Sequence, residues 1–275
     1  MTAITDRPGV GRHLRDWRLR RGLSQLELAS RAGVSARHLS FVETGRSQPT
    51  SAMILRLCEQ LAIPLREQNG LLLAGGYAPA YPEEPLTGPR LAAVNAAIER
   101  ILTAHDPFPA LVIDRMWDLV TANAAASRLL TATNPGLLEP PVNVIRFSLH
   151  PDGLAPRIRN LGEWRSHLLG RRERDVRATG DPALSALLDE ARGYGDVEQE
   201  PPPPDDASLV VPLRLAAGET ELSLVSTTTV FGTPREVTVS ELAIEAFYPA
   251  DEPTRRLLEA ASKGEPAAAA SLPGT

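Results

Sequence analysis

Near its N-terminus the chain contains two short helical segments separated by one tight turn, and this spacing constrains the fold most strongly. Ser24 precedes a segment from Gln25 to Ala32, and Ser35 precedes a second segment that extends to Val42. Serine is a favoured helix N-cap, because its hydroxyl accepts a hydrogen bond from an amide of the first turn. Gly33 lies between the segments, where a left-handed residue would end the first helix. Two helices joined by about three residues around a glycine are typical of a helix-turn-helix.

Three more helical segments flank this pair. Before it, Val10, Leu14 and Trp17 recur at the spacing of one helix face. After it, Ser51 begins a fourth segment and a fifth extends from Leu65 to Leu73. The N-terminal region is therefore predicted to be an all-α domain of five helices.

The distribution of charge separates this region from the remainder of the chain. The net charge of −5 argues, as a total, against a nucleic-acid partner. Residues 1–73, however, contain eleven Arg against six acidic residues, a net of +5, and residues 74–275 carry −10. The basic N-terminal region alone is thus suited to a polyanionic partner.

The five-helix pattern resembles the xenobiotic-response-element (XRE/Cro) class of DNA-binding domains. The run LRDWRLRRGLSQLELASRAGVSARHLSFVETGRSQPTSAMILRLCEQLAI carries the resemblance, which extends over all five predicted helices without a gap. It implies that the third helix, residues 36–42, is the recognition helix, and that Gln25 contacts phosphate. It also implies a buried ion pair between Arg18 and Glu43 that ties the first helix to the third.

The outer face of the recognition helix carries side chains that suit the major groove. The resemblance implies that Arg37, Ser40 and Phe41 fall on the groove-facing positions, with Ala36 at the first. A guanidinium such as that of Arg37 forks onto O6 and N7 of guanine. Phe41 departs from the polar residues common in this class and would offer an apolar contact, for example to a thymine methyl.

Phosphate contacts are expected from Gln25, Arg46 and Ser47. For His38 the alternative to a DNA contact is an exposed helix residue without such a role. For the whole region the alternative is a helical bundle with a solvated arginine face. The complete set of predicted DNA-contacting residues is Gln25, Ser35, Ala36, Arg37, His38, Ser40, Phe41, Arg46 and Ser47.

A proline- and glycine-rich segment marks the predicted domain boundary. Residues 74–90, AGGYAPAYPEEPLTGPR, contain four prolines and three glycines, a composition typical of a connector. We expect a DNA-binding domain at 1–74, a linker at 75–90, a second domain at 91–262 and a disordered tail at 263–275.

The second domain is predicted to be α+β, with helices grouped to one side of a five-stranded antiparallel sheet. The predicted strands are Ala110–Ile113, Trp117–Thr121, Leu209–Leu215, Glu221–Phe231 and Val237–Tyr248. The first predicted helix begins at about Arg90 and ends before Pro107. The others extend from Asn123 to Leu130, from Asn143 to Leu149, from Ala155 to Thr179 and from Pro182 to Gly193. The proline-rich residues 200–206 are expected to form a surface loop.

This element order resembles a PAS-like sensor domain, and more closely the ligand-binding domain of the MmyB-like branch of XRE regulators. The passages ALVIDRMWDLVTANAAASRLL, NVIRFSLHPDG, EWRSHLLGRRERDVRATGDPALSALLDEAR and STTTVFGTPREVTVSELAIEAFYPADE carry the resemblance. It implies a cavity between the sheet and the helices, with a fatty acid or a similar apolar molecule as the expected ligand class.

A buried carboxylate needs donors, so polar residues of the helical insert are candidates for the ligand site. The predicted ligand-binding residues are Arg146, Phe147, His150, Trp164 and Arg165. Core packing is the alternative for Phe147 and Trp164, and a surface salt bridge is the alternative for Arg146. His150 precedes a turn, so the alternative for it is a hydrogen bond to backbone.

No GxSxG, HExxH, P-loop or dinucleotide motif is present, so we expect no enzymatic activity. The single cysteine, Cys58, leaves no Cys-based metal cluster, and no metal or cofactor is expected. Haem bound through His150 or His167 stays open, because PAS-like domains can hold haem through a histidine. The sequence lacks a signal peptide and an apolar run of membrane-spanning length, which predicts a cytoplasmic protein without a membrane partner.

These observations predict a DNA-binding transcriptional regulator that acts on a double-stranded DNA operator as a homodimer. Its second domain would bind a small hydrophobic effector and modulate operator binding. A first alternative is a constitutive regulator whose second domain is only a dimerisation or protein-interaction platform. A second alternative is an enzyme with an attached DNA-binding domain, although the sequence shows no pair of titratable groups to support it.

Overall fold

The computed structural model describes residues 9–130, 133–195 and 210–263, which form two compact units. The first unit, here called the head, contains the residues up to Pro85 together with Arg177–Thr179 and Thr233–Ser240. The second unit, here called the body, contains the other described residues. The predicted surface loop at 200–206 lies outside the described residues, as does the predicted tail after Lys263.

The head begins with five helices, as predicted. Ser24 caps the second helix through a reciprocal capping box with Glu27, and Ser35 caps the third by accepting from the amide of His38. Gly33 ends the second helix in the left-handed conformation, at φ 63°. The helices are α1 (Val10–Arg20), α2 (Gln25–Ala32), α3 (Ala36–Glu43), α4 (Ser51–Gln60) and α5 (Leu65–Ala74).

An aliphatic core holds these helices together, and Leu14, Leu28, Leu39 and Ile54 are fully buried in it. The close approach of α1 to α3 depends on Gly11. A Cβ added at this glycine would lie 1.9 Å from the carbonyl oxygen of Val42, too close for any larger residue. The position of α3 is therefore set by tight packing against α1.

The first part of the predicted linker is attached to the head. Tyr77 donates its hydroxyl hydrogen to the carbonyl of Pro49 at 3.0 Å. The side chain of Asn69 accepts from the amides of Ala80 and Tyr81 and donates to the carbonyl of Tyr81 at 2.7 Å. These bonds order residues 77–81 on the helical head despite their proline content.

The body is built on five antiparallel strands in the order β2-β1-β5-β4-β3. The second domain is thus α+β with a five-stranded antiparallel sheet, as predicted. The strands are β1 (Ala110–Ile113), β2 (Leu119–Ala122), β3 (Leu213–Ala217), β4 (Thr220–Val230) and β5 (Ala243–Pro249). The helices of the chain after α5 are α6 (Ala92–His105), α7 (Ala124–Leu129), α8 (Val144–Leu149), α9 (Leu161–Thr179), α10 (Pro182–Arg192), α11 (Val237–Ser240) and α12 (Glu252–Ser262). Of these, α11 and the last three residues of α9 belong to the head.

The prediction that helices group on one side of the sheet is wrong. Val112 and Ile244 pack against Ile98 and Leu102 of α6, in a cluster separate from the main core of the body. All four residues of β1 are buried, which explains why this strand is a continuous apolar run rather than an alternating one. The sheet is therefore covered on both faces at β1 and β5.

The second predicted strand begins too early, because Trp117 belongs to a turn. Its φ is 64°, in the left-handed region that a bulky side chain rarely adopts. The Oδ1 atom of Asp114 accepts from the amides of Met116 and Asp118 at 2.8 and 2.9 Å and closes this turn. β2 therefore starts at Leu119.

Other elements also differ from the prediction. The expected helix from Ala155 to Thr179 is interrupted, because Ile158 forms a bridge with Leu215 before α9 begins. Residues 237–240 form a helical turn rather than the start of a strand. The C-terminal helix α12 was not predicted, although Asp251 followed by an early proline is a start signal that the sequence contains.

Candidate nucleic-acid interface and ligand cavity

The predicted recognition helix α3 presents an exposed and a buried face. Leu39 and Val42 are buried in the core of the head, whereas Arg37 is exposed. Ala36 and Ser40 are partly exposed on the face that carries Arg37. Small and polar side chains on this face leave α3 narrow enough to enter a major groove.

Arg37 is held by an aromatic neighbour one turn along the helix. Its guanidinium carbon lies 5.4 Å from the centroid of the Phe41 ring, a cation–π distance. Phe41 is partly exposed, so the ring remains on the surface beside the guanidinium. The sequence indicated an apolar role for Phe41, and the structure adds this contact with Arg37.

An ion pair links α1 to the end of α3. The Nε and Nη2 atoms of Arg18 donate to the two carboxylate oxygens of Glu43 at 2.7 and 2.8 Å, and both side chains are buried. This bidentate geometry raises the pKa of Arg18. Gln25 also donates to Glu43 at 2.8 Å, so its amide nitrogen is held within the head.

The loop after α3 is fixed by backbone bonds. The amides of Arg46 and Ser47 donate to the carbonyl of Phe41 at 2.8 and 3.1 Å. The side chain of Arg46 is exposed, that of Ser47 is partly exposed, and His38 is half-buried. The hydroxyl of Ser35 serves as the cap of α3. The predicted DNA-contacting residues thus lie on α3, its two ends and the first residue of α2.

The body contains a cavity between its sheet and its helices. Sheet residues Leu111, Leu215, Leu224 and Phe247 line one side. The other side is lined by residues of α7, α8 and α9, namely Ala126, Leu129, Val144, Phe147, Trp164 and Leu168. The cavity has a volume of about 60 Å³. This is roughly four to six times the space that holds one buried water, enough for several non-hydrogen atoms of a ligand.

An ion pair lies in the polar part of the cavity lining. Arg171 donates from Nη2 to Glu245 Oε1 at 2.9 Å and to the Thr228 hydroxyl oxygen at 2.8 Å. The Thr228 hydroxyl donates in turn to Glu245 Oε1 at 2.8 Å. Glu245 is only 4% exposed, so the triad holds its carboxylate inside the body with satisfied hydrogen bonds.

Trp164 lines the same cavity, and its indole nitrogen lacks an acceptor. The residue is 4% exposed, and Nε1 has no hydrogen-bond partner among the described residues. Its ring stacks on His167 at 5.5 Å between centroids. Burial, together with Arg171 and Arg174, lowers the pKa of His167.

Trp117, which also lines the cavity, packs against two guanidinium groups. The guanidinium carbons of Arg171 and Arg172 lie 4.9 and 4.0 Å from its ring centroid. Burial lowers the pKa of Arg172 to about 10, and Asp175 pairs with it. The Nε atom of Arg172 has no hydrogen-bond partner within the described parts of the chain.

Of the five predicted ligand residues, Phe147 and Trp164 line the cavity. Arg146 pairs instead with Glu190 through bonds of 2.7 and 2.8 Å, in the salt bridge that the sequence left open as an alternative. The Nη1 atom of Arg165 donates to the Gly195 carbonyl at 2.9 Å. The Nδ1 atom of His150 accepts from the amide of Asp152 at 3.0 Å. These three residues do not line the cavity.

Sequence reasoning missed the polar lining residues Arg171 and Glu245. Trp164, Leu168 and Arg171 follow one another at i, i+4 and i+7, which places them on one face of α9. This spacing could have indicated that Arg171 lies on the same face of the helix as Trp164. Glu245 interrupts the apolar run of β5, and a charge within a buried strand requires a partner.

The described residues contain no group of three or more His, Cys, Asp or Glu side chains that could hold a metal ion. Within the same ranges, no helix combines the length and apolar character needed to cross a membrane.

The chain was compared with curated proteins and with solved structures. No curated protein matches the chain. One matching solved structure is described as "Structure of an RNA-binding Light-Oxygen-Voltage Receptor", with 15% identity and a TM-score of 0.25. The alignment covers 95% of this chain and 65% of that receptor.

Family models match both units. A helix-turn-helix model matches residues 14–68, and the model of the MmyB-like transcription regulator ligand binding domain matches residues 94–261. The second match alone extends over more than half of the chain. The chain therefore belongs to the MmyB-like transcription regulators, with a helix-turn-helix region that precedes the ligand-binding domain.

Proposed function

We propose that this regulator acts in the cytoplasm as a homodimer, and that a small apolar effector of the fatty-acid class, bound in the cavity of the body, changes its affinity for operator DNA. The observation that carries the proposal is the cavity itself, whose lining is largely aliphatic and aromatic but includes a few buried polar groups. Such a lining fits an acyl chain with one polar end.

Operator recognition is assigned to the exposed face of α3. Arg37 is the base-reading residue in this proposal, since its guanidinium is exposed and is oriented by Phe41. Arg46 is a phosphate contact, because its exposed side chain extends from a loop that is fixed against α3. One small DNA-binding domain gives limited sequence specificity, so we expect two protomers to bind adjacent half-sites.

Regulation would follow from linkage between the two binding events. An effector that binds one state of the dimer more tightly than another shifts the population toward that state and alters operator affinity. The same coupling requires that operator DNA change the affinity for the effector by an equal factor. Either direction of regulation is compatible with this mechanism.

The test begins with the purified full chain and the DNA upstream of its own coding sequence. Native mass spectrometry and solvent extraction after gentle purification should detect a bound acyl molecule. Binding to the upstream DNA should weaken as salt concentration rises, because phosphate contacts release counterions. DNA binding that does not respond to any acyl ligand would favour the alternative in which the body serves only as a dimerisation platform.

A further inference from the structure

The polar part of the cavity already contains a matched ion pair. Arg171 is bonded to the buried carboxylate of Glu245 at 2.9 Å, and Thr228 bonds both groups. The guanidinium that would receive the carboxylate of a free fatty acid is therefore occupied by a carboxylate of the protein. A second carboxylate beside Glu245 would leave two buried anions to share one cation, which is unfavourable at low dielectric.

Neighbouring charges do not supply the missing cation. Arg172 stacks on Trp117 and pairs with Asp175. His167 stacks on Trp164, and its pKa is lowered by burial and by Arg171 and Arg174, which favours its neutral form. Among the described residues, Arg171 and Arg172 are thus already paired with carboxylates of the protein, and His167 brings no positive charge in its neutral form.

The cavity lining nevertheless contains one buried donor without a partner. Trp164 lines the cavity at 4% exposure, and its Nε1–H has no acceptor among the described residues. The indole nitrogen is a donor only, so an unpaired Nε1–H in this position is satisfied by any ligand oxygen that accepts. A carbonyl oxygen meets this requirement and brings no charge.

We propose that the cavity selects an uncharged acyl derivative, an ester or an amide, over the corresponding free carboxylate. The carbonyl oxygen accepts from Trp164 Nε1–H, and the chain lies along the apolar residues of the sheet and helices. This inference rests on the proposed function, because it specifies the head group of the acyl effector assigned there.

The test compares decanoate with methyl decanoate, both below their aggregation concentrations, by titration calorimetry on the delipidated full chain at pH 7.5. The ester is expected to bind at least about tenfold more tightly than the anion, the ratio that corresponds to one hydrogen bond together with an avoided charge. Tighter binding of decanoate to the wild-type chain would overturn the inference and leave the proposed function standing.

Two variants identify the groups responsible. Glu245→Gln leaves Arg171 without its anionic partner and should raise decanoate affinity about tenfold or more, with little change for the ester. Trp164→Phe preserves an aromatic ring but removes the donor, and should lower ester affinity about tenfold. Trp17→Phe, in the core of the head, is the matched control and should leave both affinities unchanged.

The remaining outcomes are also decisive. Failure of both probes to bind the wild-type chain, together with an extract that contains no acyl molecule, would contradict the proposed function and the inference with it. If Glu245→Gln does not fold, the affinities of the two probes for the wild-type and Trp164→Phe chains still test whether the cavity prefers the ester. Equal ester affinity in the wild-type and Trp164→Phe chains would overturn the role of Nε1–H.

Discussion

The guanidinium of Arg18 and the carboxylate of Glu43 form two parallel hydrogen bonds, at 2.7 and 2.8 Å, between α1 and α3. The side chain of Glu43 is 1% exposed, so this pair ties α3 to α1 within the core of the head. The ion pair that the XRE resemblance implied is thus present, and Gln25 extends it as a third member.

Arg18→Met should destabilise the head by about 3–5 kcal/mol, because it leaves the Glu43 carboxylate buried and unpaired. Arg18→Met combined with Glu43→Leu should recover much of this loss, since an apolar pair of similar volume often replaces a buried ion pair at little expense. Urea unfolding, followed by the accessibility of the Cys58 thiol, measures the free energy of unfolding of the head in both variants. Equal stability of the single variant and the wild type would contradict the structural role of the pair.

The Cys58 thiol is a reporter of the head, because it is the only cysteine of the chain and is fully buried in α4. Burial raises its pKa to about 12, so very little thiolate is present at pH 8. We predict that an aromatic disulfide reagent labels the native protein slowly at pH 8 and the urea-unfolded protein rapidly. Labelling at the unfolded rate under native conditions would show that the helices of the head are not packed as described.

The two exposed arginines that we propose as DNA contacts, Arg37 and Arg46, should behave differently. Arg37→Ala should cost about 1–3 kcal/mol on the preferred operator and relax base preference at one position, because a bidentate guanine contact is lost. Arg46→Ala should weaken binding to all sequences similarly and reduce the salt slope by about one. Fluorescence anisotropy with a set of single-base operator variants at several salt concentrations separates the two effects. Identical loss profiles would contradict the assignment of Arg37 to base reading.

Protonation of His167 should make the stability of the body depend on pH. Its pKa is lowered in the folded chain by burial and by Arg171 and Arg174, against the weaker opposing effects of Glu245 and Glu163. The unfolded chain therefore takes up the proton first as pH falls below about 6.5, and stability decreases until the pH passes the folded pKa.

His167→Gln should remove this part of the pH dependence. The urea midpoint of the body should fall less between pH 7.5 and pH 5.5 in the variant than in the wild type. Ser166→Ala, an exposed change on the same helix, is the control and should behave as the wild type. Parallel behaviour of His167→Gln and the wild type would show that His167 takes up its proton equally in both states.

Local signals predicted the head well because its structure is locally determined. Ser24 and Ser35 cap helices, and Gly33 has the left-handed conformation that its position indicates. Contacts between residues that are distant in sequence were harder to predict. Glu43 could be paired with Arg18 only through a family resemblance, since 25 residues separate them.

The body shows where local patterns are insufficient. Trp117 has a strand-like composition around it, but the side chain of Asp114 closes a turn there and the indole packs against Arg171 and Arg172. Arg146 and Arg171 are equally plausible donors from sequence alone. Only the packing of α9 against β5 places Arg171 beside Glu245 in the cavity lining. Tertiary contacts of this kind have no signature within a short window.

The most direct test of regulation through the cavity is operator affinity measured with and without methyl decanoate, in the wild type and in a chain with a filled cavity. Ala126 lines the cavity, so Ala126→Met should occupy it, whereas Ala124→Met on the exposed side of α7 is the matched control. We predict a change in operator Kd of about 5-fold or more for the wild type and Ala124→Met, and no change for Ala126→Met. An identical response of all three chains, or no response in any, would contradict control of DNA binding by a ligand in this cavity.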